Sequence, residues 1–535
     1  MLIAALFACG GGGGSSGSST PAPTTPTGPT AAPVSVSGSI TFDRVHQLAP
    51  GNGLDYNHIT ADPARGVAVE LINSAGVVQS ATVTNDAGEY QLQVPGNSNV
   101  RLQVKAEMLS IAAAAWNVRV TDNTAGNALY LIRGSLTNSG TADSTRNLHA
   151  ASGWNAAVAG YTQPRSAASF AILDVVYEAI QSFTAIDPTV TLPPLQVRWS
   201  TANTTASGQL TEGDIGTSFY TPGESAIYLL GSANNDTDEY DRHVIAHEWG
   251  HYIEDKLSRS DSIGGSHGAG DRLDMRVAFS EGFGYALAGI VLKDPIVRDS
   301  FGLSQGNGFS FDVESNQPFN PGWYSEGSVQ SILYDIADVD ADGVDQIAAG
   351  LAPIYEVMTS SAYRNSSALA TIYLFIAQMQ RQYPEHHDQV SALAIGQGVL
   401  GSDEWGTGES NNAGQDSVLP VYSTANLAVP QTLCTISEFN SVLEPSANKL
   451  GNSVFVRAPD LFSGSYAINV ARISGAFNTS PALSLYRNGV YIFELQSNVS
   501  GGISWSGSLN AGNYVLVLSE AETRPACYSF VLSNN

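Results

Sequence analysis

The segment DRHVIAHEWGHYIEDKL, residues 241–257, sets His243, His247 and His251 at four-residue intervals in a chain with nine histidines among 535 residues. Core packing does not ask for imidazoles at that spacing, whereas a metal ion does. Residues i and i+4 lie one turn apart on one helix face, so His247 and His251 can reach the same ion. Glu248 is offset from the pair, where a carboxylate can take a proton from a water bound to the ion. His243 has no glutamate following it in its own frame, and it reads as a supporting or surface residue rather than a ligand. A catalytic metal normally has three protein ligands and a water. Candidates for the third are Glu281, which opens the Ala/Gly-rich stretch RVAFSEGFGYALAG, and His267, Asp271 and Asp274 in GGSHGAGDRLD.

The elements that must hold these residues are written nearby. Ile245, Trp249, Ile253 and Leu257 form an apolar stripe on the histidine helix, available for a core. Asp236, Asp238 and Asp241 stand at its start, where a helix favours negative charge, and capping accounts for the acidic run NNDTDEYD (234–241). Upstream, residues 164–183 put Phe170, Leu173, Val176, Tyr177 and Ile180 on one helical face. LQVRWS and SAIYLLG read as short strands, and further helices are expected around 279–292, 326–337 and 366–382. Strands followed mostly by helices predict an α+β catalytic domain over roughly residues 140–425.

A third histidine six residues after His251 would mark a metzincin, but residue 257 is leucine. HEWGH followed by a glutamate on the next helix instead resembles the gluzincin metallopeptidases, the group of thermolysin-like and fungalysin-like enzymes. The resemblance covers the motif helix, the Glu281 helix and the segment GWYSEGSVQSILYD. It implies a zincin-like fold in which His247, His251 and Glu281 hold Zn²⁺ and Glu248 is the general base in hydrolysis of a peptide bond. It also implies a donor to the developing oxyanion from a helix downstream of the third ligand. Tyr324, just before that helix, is the candidate, with packing beside Trp323 as its alternative role. The sequence departs from the pattern in two places: twenty-nine residues separate His251 from Glu281, and Tyr285 stands where those enzymes carry an aspartate that buttresses a histidine ligand. An inserted loop must therefore be accommodated, and another group must orient that ligand.

The flanks of this segment are β-rich. Over 34–135, VAVELIN, VVQSATVTN, EYQLQV and NVRLQVKAE alternate apolar and polar residues between turn sequences. TNDAGEYQLQVP resembles the transthyretin-like or carboxypeptidase-regulatory-like sandwiches. Strands return over 430–535, where GSLNAGNYVLVL resembles the closing hairpin of prepeptidase-type C-terminal sandwiches. The expected fold is thus multidomain, an α+β zincin-like domain between two all-β sandwich domains.

MLIAALFACG, with Ala8-Cys9 at its end, resembles the end of a bacterial lipoprotein signal over residues 1–9, in which Cys9 is the lipidation site. Residues 10–33 are rich in Gly, Ser, Pro and Thr and read as a tether. With Cys9 acylated, Cys434 and Cys527 remain to pair in an oxidising compartment. The chain holds no run of about 18 apolar residues, the length a spanning helix needs. Contact with a membrane is therefore expected only through the anchor, in a bacterial envelope or outside the cell. A net charge of −26, with charged residues at 13% and no Lys/Arg cluster, argues against a nucleic-acid partner; a protein or peptide substrate is what the gluzincin resemblance implies.

DVDADGVD (338–345) offers Asp338, Asp340 and Asp342 at alternate positions, as calcium loops do. An EF-hand would require glutamate where Ala349 stands, which leaves a non-EF Ca²⁺ loop or a solvated acidic turn. Two other functions fit the motif: a surface binding or adhesion protein with a structural zinc, and a zinc hydrolase of a non-peptide bond. An intact Glu248 favours the enzyme, since a structural site does not need it.

Overall fold

The computed structural model describes residues 32–48, 52–314, 319–339, 345–440, 446–498, 501–520 and 523–534. Cys9, the signal-like segment, most of the 10–33 tether, and Asp340 and Asp342 of the acidic turn lie outside them.

β1 (Pro33–Gln47) pairs antiparallel with β2 (Leu54–Pro63) and β5 (Glu89–Pro95). The alternation in β5 turns Tyr90, Leu92 and Val94 inward and leaves Glu89, Gln91 and Gln93 exposed. β3 (Val67–Asn73), β4 (Val78–Val83), β6 (Asn99–Ile111) and β7 (Ala115–Asp122) belong to a second sheet. Val36 and Phe42 of the first sheet share a core with Val69, Leu71, Leu102 and Val104 of the second, a sandwich-like arrangement.

The second sheet does not stop at the module. β7 pairs in parallel with Leu195–Trp199, in register Val118↔Leu195 and Val120↔Val197, and that strand pairs in parallel with Ala226–Leu229. One sheet therefore crosses the 135–140 position at which the sequence suggests a boundary. β7 has apolar residues to bury against both neighbours, and a strand's alternation does not say which partner it takes.

Helix α1 (Ala168–Ile186) packs on β6 and β7. Phe170, Leu173, Val176 and Ile180 are buried as the periodicity predicts, but Ser169 and Asp174 are buried too. Asp174 is tolerated there because Arg44 and Arg65 both bond it. α2 (Arg242–Leu257) is fastened at its first turn by Arg242 to Glu178 of α1, and Trp249 meets Phe183 of α1 edge-on at 5.0 Å. α3 (Met275–Leu292) runs between α2 and α4 (Glu326–Ala337). Glycines set those distances: a Cβ at Gly250 would lie 3.1 Å from the Gly284 Cα, and one at Gly282 would lie 2.5 Å from Val329 of α4. By length and composition α1 and α3 are apolar enough to cross a bilayer, but they are largely enclosed by the protein, α3 almost wholly, and they serve as core helices.

Beyond helices Leu351–Thr359, Ile372–Gln382 and His387–Gly396, the chain returns to strands. A five-stranded and a four-stranded sheet face each other across Val456, Leu483, Leu516, Ile468, Tyr528 and Phe530. Cys434 and Cys527 sit opposite one another on paired strands of the four-stranded sheet and are joined by a disulfide. The chain is multidomain and rich in β-sheet, with sandwich-like parts at both ends.

Candidate metal centre

α2 presents His247 and His251 on the face turned toward α3, and Glu281 meets them from α3's second turn. The Nε2 atoms of the two histidines are 3.0 Å apart, and each is 3.2 Å from the Glu281 Oε2. Ligand atoms held 2.0–2.2 Å from a tetrahedral zinc ion stand about 3.3 Å from one another, so the three atoms already have the spacing of such a site. Two imidazoles and a carboxylate also suit zinc chemically.

Both histidines are held from behind. Ser280 lies 3.2 Å from the His251 Nδ1 through its Oγ and donates to the Glu254 Oε2 at 2.5 Å, a chain that orients the ring. The His247 ring rests on Gly284, where a Cβ would come within 2.8 Å of it, and against the Tyr285 ring at 4.2 Å. Burial raises the Glu254 carboxyl to about 7 against the opposing bond from Ser280. Burial would also raise Glu281, but His251, His247 and His267 around it hold it well below the usual carboxylate range. Burial alone would lower half-buried His251, but the charge and bond of Glu281 together with the charges of Glu248 and Glu254 lift it to about 9. Burial first, then Glu326, Glu281 and Glu248, keep the Tyr285 hydroxyl protonated far above tyrosine's ordinary value.

The triad lines a cleft of about 1290 Å³ together with Glu248, His267 and Tyr285. Glu248 is beside the ligands in sequence and takes no hydrogen bond among the described residues, so its oxygens are available to a water. His267 comes from the loop between α2 and α3. Its Nε2 is 3.2 Å from the Glu281 Oε2, and its Nδ1 is 2.8 Å from the Glu326 Oε2. Of the rivals for third ligand, only His267 reaches the cleft. Asp271 pairs with Lys449, and Asp274 caps α3 and pairs with Arg276. His243 is buried with its Nε2 3.0 Å from the Asp294 carbonyl oxygen, away from the cleft.

Tyr324 does not reach the site. Its hydroxyl donates to the Asn411 Oδ1 at 3.0 Å and to the Pro321 carbonyl at 3.2 Å, and it is not part of the cleft wall. Trp323 packs edge-on to it at 5.4 Å, the packing role weighed as its alternative. A tyrosine at a helix entrance reads the same in sequence whichever way its ring turns.

The acidic run before α2 is more than a cap. Asp241 occupies the N-cap position without a side-chain cap bond; it accepts instead from Gln47 of β1 and from Ser300, each at 2.7 Å. Asp236 and Asp238 meet Asp299, from the strand Ile296–Phe301, with carboxylate oxygens within 4.8 Å of one another. Burial raises Asp236 to about 6, Asp241 to about 7 and Asp299 to about 8, the last helped by Asp241 and Asp236. Asp299 is far off in the chain, so no local spacing could have announced this cluster.

A family model described as the Mycolysin C-terminal domain matches residues 180–383, short of half the chain and spanning α2, α3 and α4. The match associates this segment with a protease family. No curated protein matches the chain. Solved structures similar to parts of it include the pre-peptidase C-terminal domain of collagenase from Bacillus anthracis (12% identity, 21% of this chain and 94% of that one, TM-score 0.17). Others are the Yersinia pseudotuberculosis-derived mitogen (10% identity, 20% and 85%, TM-score 0.15) and a CBM35 from Cellvibrio japonicus Abf62 (15% identity, 20% and 94%, TM-score 0.13). At these scores the likenesses carry no argument about this chain.

Proposed function

We propose that the protein is an exported zinc metalloendopeptidase with a zincin-like α+β catalytic part, in which His247, His251 and Glu281 hold Zn²⁺ and Glu248 is the general base. The observation that carries the reading is the convergence of three ligand atoms from two helices within 3.0–3.2 Å of one another on the wall of an open cleft. Zinc bound there supplies a Lewis acid that acidifies water and polarises a carbonyl. Glu248 takes the proton of the attacking water and passes it to the departing amine. The Ser280–Glu254 chain keeps the His251 ring turned so that its Nε2 faces the ligand position.

Export rests on the segment ending in Cys9 and on a disulfide that an oxidising compartment permits. Acylation of Cys9 would place the body outside the cytoplasm on a tether.

The test is zinc content and casein hydrolysis of wild type and Glu248→Ala side by side. One zinc bound to each, with cleavage by wild type alone, is expected. Zinc in both and cleavage by neither would move the reading to a structural zinc on a binding protein.

A further inference from the structure

Attack on a peptide carbonyl moves an electron pair onto its oxygen, and the site must meet that charge with a donor in addition to the metal. The cleft wall is poorly suited to it: Glu248, Glu254, Asp255 and Asp299 line it, and no Lys or Arg among the described residues does. The donors along the wall are mostly committed. Tyr220 donates to Asp255 at 2.7 Å, Ser280 to Glu254, Ser218 to Asp238, and His267 has one ring nitrogen on Glu326 and the other on Glu281.

Tyr285 is the exception among the tyrosines of the wall. Its hydroxyl makes no hydrogen bond among the described residues, yet the residue lines the cleft. The ring is fixed on two sides, by His247 at 4.2 Å and edge-on by Phe311 at 5.0 Å. It stands one helical turn after Glu281, on the same face of α3. A phenol so held is a neutral donor placed beside a metal ligand before the substrate arrives, which is what stabilisation of a developing charge requires.

We infer that Tyr285 donates its hydroxyl to the carbonyl oxygen of the bound peptide as it becomes an oxyanion, the role that the sequence suggests for Tyr324. The inference rests on the peptidase reading above. Tyr285 keeps its proton throughout, and Glu248 carries the proton from water to the leaving amine.

Tyr285→Phe removes one oxygen that holds no partner, so fold and zinc content are expected to survive. On a quenched fluorescent peptide, kcat is expected to fall roughly 100- to 1000-fold, the effect of losing one such donor, with KM nearly unchanged. Binding of a tetrahedral phosphinic peptide should weaken while binding of the cleavage products holds. Zinc-loaded Tyr285→Phe with kcat near that of wild type would overturn the assignment. Loss of zinc from the variant would overturn it as well, since Tyr285 would then only prop His247. If zinc-loaded wild type cleaves no peptide, the peptidase reading itself falls and takes the donor role with it.

Discussion

Ser280 precedes Glu281, one proposed metal ligand, but serves another, His251, since its hydroxyl lies between the His251 Nδ1 and Glu254. Removing such a partner typically costs 10- to 100-fold in metal affinity or activity, and Ser280→Ala is expected to lose zinc affinity in that range, read by competition with a chromophoric chelator. Tyr324→Phe makes the opposite case. Its hydroxyl bonds Asn411 outside the cleft, and the Asn411 Oδ1 keeps the Ala413 N–H, so the variant should keep near-wild-type peptide cleavage while losing about 1 kcal/mol of stability for one hydrogen bond removed. Denaturant unfolding beside a kinetic assay checks both halves. That His247 and His251 share one face was legible because a helix turns a four-residue spacing into one face. Ring direction has no such signature, which is why Tyr324, expected at the site, instead turns its hydroxyl to Asn411 and Pro321.

At the scale of elements, the centre depends on how closely α2 and α3 approach. The Ala/Gly-rich character of α3 was visible in sequence, and the fold uses it twice, with Gly282 facing Val329 and Gly284 beneath the His247 ring. Gly284→Ala would put a Cβ 2.8 Å from that ring. The expected outcome is a loss of about 1–3 kcal/mol, as overpacked sites show, together with weaker zinc binding because His247 is displaced. Thermal unfolding with and without zinc separates the two, since a purely packing defect would leave the zinc-induced rise in Tm unchanged. His267 could not be placed from its loop sequence, where glycines leave the path of the chain open; only the fold carries it to Glu281 and Glu326.

At the scale of the molecule, charge and sheet connectivity matter more than any one contact. Asp236, Asp241 and Asp299 have pKa values of about 6, 7 and 8 in the folded protein against 3.8 for a free aspartate, so the folded state holds more protons than the unfolded chain. Their contribution to stability is complete below about pH 4 and is lost as the pH rises through the 6-to-8 window. In buffer free of divalent cations, Tm should therefore be lower at pH 8 than at pH 5.5. Asp299→Asn should flatten the fall, and an equally steep fall in that variant would count against the cluster as its source. The alternation within each strand was readable throughout, whereas the partner of β7 was not, because pairing across some seventy residues leaves no local mark.

Cut between residues 135 and 140, the chain would part along a seam of backbone hydrogen bonds rather than at a hinge. β7 would stay bonded to β6 on one fragment, Leu195–Trp199 would stay beside Ala226–Leu229 on the other, and each piece would carry a bare edge with apolar residues behind it. Bare edges of that kind template aggregation. The amino-terminal strands are thus no cassette that can be grafted or trimmed away; they are masonry in the wall from which the cleft hangs.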